Sequence, residues 1–183
     1  MTSPQIETAR LLMRRFRDED LDDLARIFGD PEVTRFLQDG TTPTKEECVT
    51  HLNNFKNRYW DEYGFGRWAL IDKSGGALVG YCGLRLLEGT PELAYVLAKS
   101  AWGKGLATEA ARACLRYAFE HLGLERVVAV TRPLNAASRR VMDRLGMTFE
   151  GERDFYGYDC VLFSLDREDF KHDNAPFRVV NSE

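Results

Sequence analysis

Trp102-Gly103-Lys104-Gly105-Leu106-Ala107-Thr108-Glu109-Ala110 is the stretch from which the rest of the chain is read. Two glycines stand just ahead of a helical pattern that runs from about Thr108 to His121 and stops at Gly123. Glycine lets successive backbone N–H groups converge with no Cβ in the way, and a helix N-terminus adds partial positive charge. Together they make an anion seat built from main-chain amides rather than basic side chains. A G-x-G turn also serves simply as a tight turn, so the motif alone leaves both readings open. It lacks the third glycine of a dinucleotide fingerprint, and no G-K-[ST] follows for a triphosphate loop.

Upstream, Trp68 to Asp72, the turn Lys73-Ser74-Gly75-Gly76 and Leu78 to Leu87 read as a hairpin, and Glu92 to Ala98 as a third antiparallel strand. Arg10 to Arg15 reads as a first strand. Asp18-Glu19-Asp20 then opens a helix with Leu21, Leu24, Ile27 and Phe28 on one side, ended by Gly29 and Pro31. Thr44, with Glu46 and Glu47, caps a second helix that runs through His51, Phe55 and Tyr59 to Gly64. Its aromatic end, Phe55, Tyr59 and Trp60, either lines a pocket or packs on the sheet. Downstream come a strand at Val127 to Thr131, a helix at Ala136 to Leu145 stopped by Gly146, and a strand pair at Phe149 to Asp166 broken near Gly157. From Asp169 the chain reads as a loosely held tail. This order predicts one α/β domain with a mixed sheet flanked by helices.

A length of 183 residues fits one such domain, and 44% hydrophobic with 30% charged residues is a globular composition. The net charge of -4 argues against a nucleic-acid partner, which needs many neutralising Lys and Arg contacts. No basic start with an apolar run marks a signal peptide, and no apolar stretch approaches the roughly 20 residues that span a bilayer. The expectation is a cytoplasmic protein without a membrane partner. Cys48, Cys82, Cys114 and Cys160 are widely spaced, as are His51, His121 and His172, so no metal site is expected.

The loop resembles the coenzyme A loop of the GCN5-related N-acetyltransferase (GNAT) superfamily, Q/R-x-x-G-x-G/A, with Trp102 first, Gly105 as the middle glycine and Ala107 last. Trp in the first place departs from the general pattern. W-G-K-G-L-A-T-E-A is similar instead to the branch of ribosomal-protein N-terminal (RimJ/RimL-like) acetyltransferases. Asn135 to Met147 resembles that branch's N-x-x-S helix ending in G-[FM]. I-E-T-A-R-L-L-M-R-R-F (6–16) and G-x-L-V-G-Y-C-G-L (76–84) look like it as well. The resemblance covers roughly 6–170, leaving 171–183 as the tail. It implies a single GNAT domain of α+β type, with a mostly antiparallel sheet and one parallel strand pair that splays apart, here Glu92 to Ala98 and Val127 to Thr131.

It also implies acetyl-CoA as cosubstrate and direct attack by a primary amine in a ternary complex. Gly103, Lys104, Gly105, Leu106, Ala107 and Thr108 would hold the pyrophosphate, and Asn135 the pantetheine arm, though Asn135 is equally a helix N-cap. A main-chain N–H at a bulge near Leu97 would serve the oxyanion. Glu92 is the candidate general base, or else a solvated strand-end acid. The family's Tyr seven positions after the Asn is replaced by Met142, which leaves Ser138 to assist the thiolate, or only to cap. In the turn Asp154 to Asp159, Tyr156 and Asp159 would orient a cationic amine, or Tyr156 would simply pack. The acceptor amine is read as a peptide N-terminus, whose weakly basic α-amine needs less help than lysine. Small molecules such as a polyamine, an amino-sugar antibiotic or an amino-acid conjugate are the alternative, followed by a module that binds acetyl-CoA without turnover. Monomer and homodimer both remain open.

Overall fold

The computed structural model describes residues 4–37 and 39–181. Among them, nine strands form one sheet: β1 (Pro4–Thr8), β2 (Leu11–Arg15), β3 (Arg67–Asp72), β4 (Leu78–Leu87), β5 (Thr90–Leu97), β6 (Arg126–Thr131), β7 (Thr148–Phe155), β8 (Tyr158–Asp166) and β9 (Phe177–Asn181). Their spatial order is β7-β8-β6-β5-β4-β3-β2-β1-β9. The helices are α1 (Leu21–Phe28), α2 (Pro31–Thr34), α3 (Lys45–Asn57), α4 (Trp60–Tyr63), α5 (Leu106–Arg116) and α6 (Ala136–Arg144). β5 and β6 pair in parallel and match at one position, Glu92 with Val128. The other neighbours are antiparallel. The mixed sheet with a splayed parallel pair is therefore as expected.

Both faces of the centre are covered, which is why β4 reads as an unbroken apolar run instead of alternating, with Leu78 to Leu84 all buried. On one face Trp68, Leu84 and Leu93 pack with α5, whose small Ala110, Ala111 and Cys114 let the helix come close. On the other, Ala69, Tyr81 and Val96 pack with Leu24 and Phe28 of α1 and with Leu52 and Phe55 of α3. α3 starts at a capping box, with Thr44 Oγ1 accepting from Glu47 N and Glu47 accepting from Thr44 N at 2.7 Å. No helix among the described residues is long and apolar enough to cross a membrane.

Four local expectations change. A strand, β1, precedes the one foreseen at Arg10 to Arg15, which begins at Leu11 because Arg10 turns out of the sheet. The single helix expected from Thr44 to Gly64 breaks after Asn57, since Tyr59 takes a left-handed φ of 74°. The break turns Trp60 into the core, where it donates to Phe55 O at 3.1 Å and meets Trp68 edge-on at 4.9 Å. Phe55 and Trp60 thus pack rather than line an open pocket. The long helix begins at Leu106 and passes after Arg116 into a π-helical turn, Tyr117–His121.

The fourth change concerns the stretch expected as a loose tail, which contains β9, paired with β1 along its length. Phe177 and Val179 alternate toward the core, and the Arg116 guanidinium sits 4.2 Å over the Phe177 ring. Covering the open edge of β1 and burying two apolar side chains accounts for its order.

Candidate active site

The Trp102 loop has the conformation its glycines foretell. Gly103 and Gly105 take left-handed φ values of 72° and 76°, and α5 starts at Leu106. A Cβ on Gly103 would meet nothing, so glycine is required there by the backbone and not by crowding. The Trp102 indole donates to Leu97 O at 2.9 Å and ties the loop to the end of β5. The first-turn amides of α5 lie beyond the glycines, and the Thr108 hydroxyl among them is buried without a partner. An unmatched donor beside free helix amides fits a phosphate.

Arg10 braces this loop. Its Nε donates to Glu109 Oε2 at 2.7 Å and its Nη1 to Lys104 O at 2.7 Å, while Glu109 also accepts from Thr8 Oγ1 at 2.6 Å. Burial pushes the Glu109 carboxyl up, but the bonds from Thr8 and Arg10 prevail and hold it below its ordinary value. Neither residue stands out in the sequence, because the contact spans 99 positions.

The bulge expected in β5 near Leu97 is not present. β4 and β5 keep one register from Leu87/Thr90 to Gly80/Leu97, so β5 has no bulge against β4. Ala98 N donates to Val79 O at 2.8 Å, which makes that a bonded pair and, by antiparallel alternation, Gly80/Leu97 a non-bonded one. The Leu97 N–H consequently points away from β4, toward the opening. The irregularity lies in β4, where the register to β3 shifts between Leu70 and Ile71 and Gly80 has a φ of 148°. A Cβ there would come within 2.1 Å of Val96 O.

At the waist of the opening, Tyr95 of β5 reaches α6. Its hydroxyl lies 2.9 Å from Ser138 Oγ and donates to Ser138 O at 3.2 Å. Burial pushes the phenol up, more than the Ser138 contact brings it down. Asn135 caps α6, accepting from Ser138 N at 3.2 Å and donating to Thr131 Oγ1 at 3.0 Å. Met142, standing where the family's Tyr was sought, is buried in the core. Sequence reasoning missed Tyr95, an aromatic on a strand like many others.

Glu92 shares its sheet face with Arg85, not with Tyr95. It is 2% exposed, and both of its oxygens accept from Arg85, whose Nη2 lies at 3.0 Å and whose Nε is closer still. Burial alone would lower the Arg85 guanidinium, but pairing with Glu92 prevails and raises it. The β7–β8 turn holds Tyr156, 72% exposed with a φ of 56°. Asp159 is exposed too, and strand alternation puts it on the face of Val161 and Phe163, opposite Glu92. Glu92 and Asp159 are thus not brought together.

The model of the acetyltransferase (GNAT) domain matches residues 10–148. The N-acetyltransferase p20 of Bacillus licheniformis is 31% identical over 173 residues, covering 89% of this chain and 96% of its own. FsC-acetyl coenzyme A-N(2)-transacetylase of Aspergillus fumigatus is 30% identical, covering 94% of this chain and 80% of its own. Among solved structures, a GNAT-family acetyltransferase from Bacillus anthracis superposes with a TM-score of 0.79 at 27% identity, covering 90% of this chain and 99% of its own. With its splayed strand pair, glycine loop and these relatives, the chain belongs to the GNAT family and is an N-acetyltransferase.

Proposed function

We propose that the chain transfers the acetyl group of acetyl-CoA directly to an α-amine, or an amine of similar basicity, in a ternary complex. The observation that carries this is the β5/β6 opening, which has the glycine loop at one end and the Tyr95–Ser138 pair at its waist. Acetyl-CoA would rest its pyrophosphate on the amides from Gly103 to Thr108, with Lys104 and the Thr108 hydroxyl beside them, and its pantetheine along Asn135. When bound it supplies the activated carbonyl. The Leu97 N–H faces the carbonyl oxygen, and Ser138, backed by Tyr95, donates to the departing sulphur. The relative whose printed name gives acetyl coenzyme A as donor and a nitrogen as acceptor supports the same reaction.

The acceptor follows from what is missing. Glu92, expected as base, is 2% exposed and accepts from Arg85 through both oxygens, which ties its carboxylate into an ion pair. An amine with a pKa of about 8 is appreciably neutral near neutral pH, whereas lysine at about 10.4 is not. The first needs no strong base. The RimJ/RimL-like motifs agree with an α-amine of a peptide N-terminus, and a small-molecule α-amine meets the same chemistry.

Gly105→Val tests the cofactor assignment. The variant has room for a side chain, the nearest atom to a Cβ being Arg10 Nη2 at 3.6 Å, but its left-handed φ opposes any β-branched residue. Calorimetry should show acetyl-CoA affinity down at least about tenfold, an energetic loss of ~1.4 kcal/mol, in a protein with unchanged circular dichroism. Undiminished affinity in the folded variant would remove the loop from the site.

A further inference from the structure

On the sheet face that bears Glu92, the register lines up Arg67 of β3, Gly83 of β4 and Ala94 of β5. Gly83 has no side chain, and Ala94, in the middle of a nine-stranded sheet, is only half-buried. The space over Gly83 is taken by backbone at the start of β3, with Gly66 O 2.1 Å from where a Cβ would stand, so the accessible floor of this face is Ala94, with Tyr81 and Arg85 diagonal to it on β4. Ala94 borders the β5/β6 opening on the face away from α5 and the glycine loop.

Arg67 stands across Gly83 from Ala94. Its guanidinium lies 4.7 Å from the Phe55 ring centroid and 5.5 Å from that of Tyr81. Its Nε is buried without a hydrogen-bond partner, and no carboxylate among the described residues pairs with it. Burial pushes this guanidinium down, with Arg85 acting in the same direction and Tyr81 and Glu92 acting against it. Beyond the opening, Arg132 follows β6 on the same face by alternation, 4.6 Å over the Tyr158 ring, with its Nη1 also buried and unmatched. Three guanidinium groups therefore lie on this face, and of these only Arg85 is hydrogen-bonded to a carboxylate, Glu92, which also acts on Arg67 through space. The excess is local, since the whole chain carries -4.

A buried cation lacking a counter-ion is costly, and aromatic contact offsets the cost only in part. Orphaned donors of this kind in a native fold call for a missing acceptor. A planar guanidinium matches a carboxylate with two parallel bonds. Resting on the acetyl-transfer reading above, we propose that the acceptor is a small amino-carboxylate whose carboxylate binds Arg67, with Arg132 as second anchor, while its amine reaches the opening across Ala94. Free amino acids, short peptides and amino-acid conjugates have this chemistry. Polyamines and other polycations are repelled by it.

Two readouts test the site. In the first, a pool of free amino acids and dipeptides is compared with the matching C-terminal amides, and with spermidine, as acceptors with acetyl-CoA. The acids should be acetylated with kcat/KM at least tenfold above their amides, and Arg67→Gln should erase that difference through KM, with Arg67→Lys restoring part of it. The second readout needs no turnover: a pool of N-acetylamino acids should raise the melting temperature of the wild type but not of Arg67→Gln, and their amides should raise neither. Equal shifts by acids and amides, no shift in the wild type, or preference for spermidine would each overturn the anion site. If acids bind through Arg67 while acetyl-CoA neither binds nor releases thiol, the site stands and the acetyltransfer reading fails. The converse result separates the two in the other direction.

Discussion

The hydroxyls of Tyr95 and Ser138 come from elements 43 positions apart and meet at 2.9 Å. Ser138→Ala should lower kcat about tenfold or more with little change in acetyl-CoA affinity, because a bond that strengthens as the thiolate forms acts on turnover. A loss confined to affinity would make Ser138 a binding residue. Glu92→Gln should depress activity by a similar factor across pH, since it frees Arg85. A loss limited to pH below neutral, recovering as the amine's own pKa is approached, would return Glu92 to the role of base. Ser138 is singled out in the sequence by the motif of its helix and Glu92 by its place on the cleft strand. Tyr95, Arg10 and Arg67 are not, because their roles arise from tertiary pairing that no local pattern carries.

Among the elements, α1 is held to β2 by a buried ion pair that sequence pattern presents only as an acidic helix start. Asp20 is 4% exposed and accepts from Arg14 Nη1 and Nη2, both at 2.8 Å, and from Arg17 N at 2.7 Å. Burial pushes its carboxyl up, yet these bonds prevail and keep it below its ordinary value. A depressed folded-state pKa means that the pair's contribution is present above the unfolded value of about 3.9 and is lost as pH falls through the folded one. Asp20→Asn should therefore cost about 3–5 kcal/mol at neutral pH, as a broken buried pair does. Denaturant melts should show the gap to wild type closing in strong acid; a constant gap would deny the ionic origin. The strands and caps that alternate or carry Thr44-x-x-Glu47 signatures were legible. β9 was not, since Phe177 and Val179 become strand-like only against the edge of β1.

On the proposed reading, the whole molecule joins a cofactor face and an acceptor face through the β5/β6 gap in its sheet. In the proposed reaction the main-chain amides at α5 receive the anionic donor on one side and the arginines receive the acceptor's carboxylate on the other, within a chain of net charge -4. The mixed sheet and its splayed pair could be anticipated because the glycine loop and the Asn135 helix are distinctive at the level of sequence. The charge of the acceptor face could not, as composition averages over it. The most direct measurement incubates the wild-type protein with acetyl-CoA and a mixed library of amines, amino acids and short peptides, following free thiol and reading products by mass. The account predicts thiol released in step with N-acetylated product and no acetyl group retained on the protein. Acetyl-CoA bound but unchanged over the whole library, or an acetylated form of the protein that accumulates before product, would contradict it.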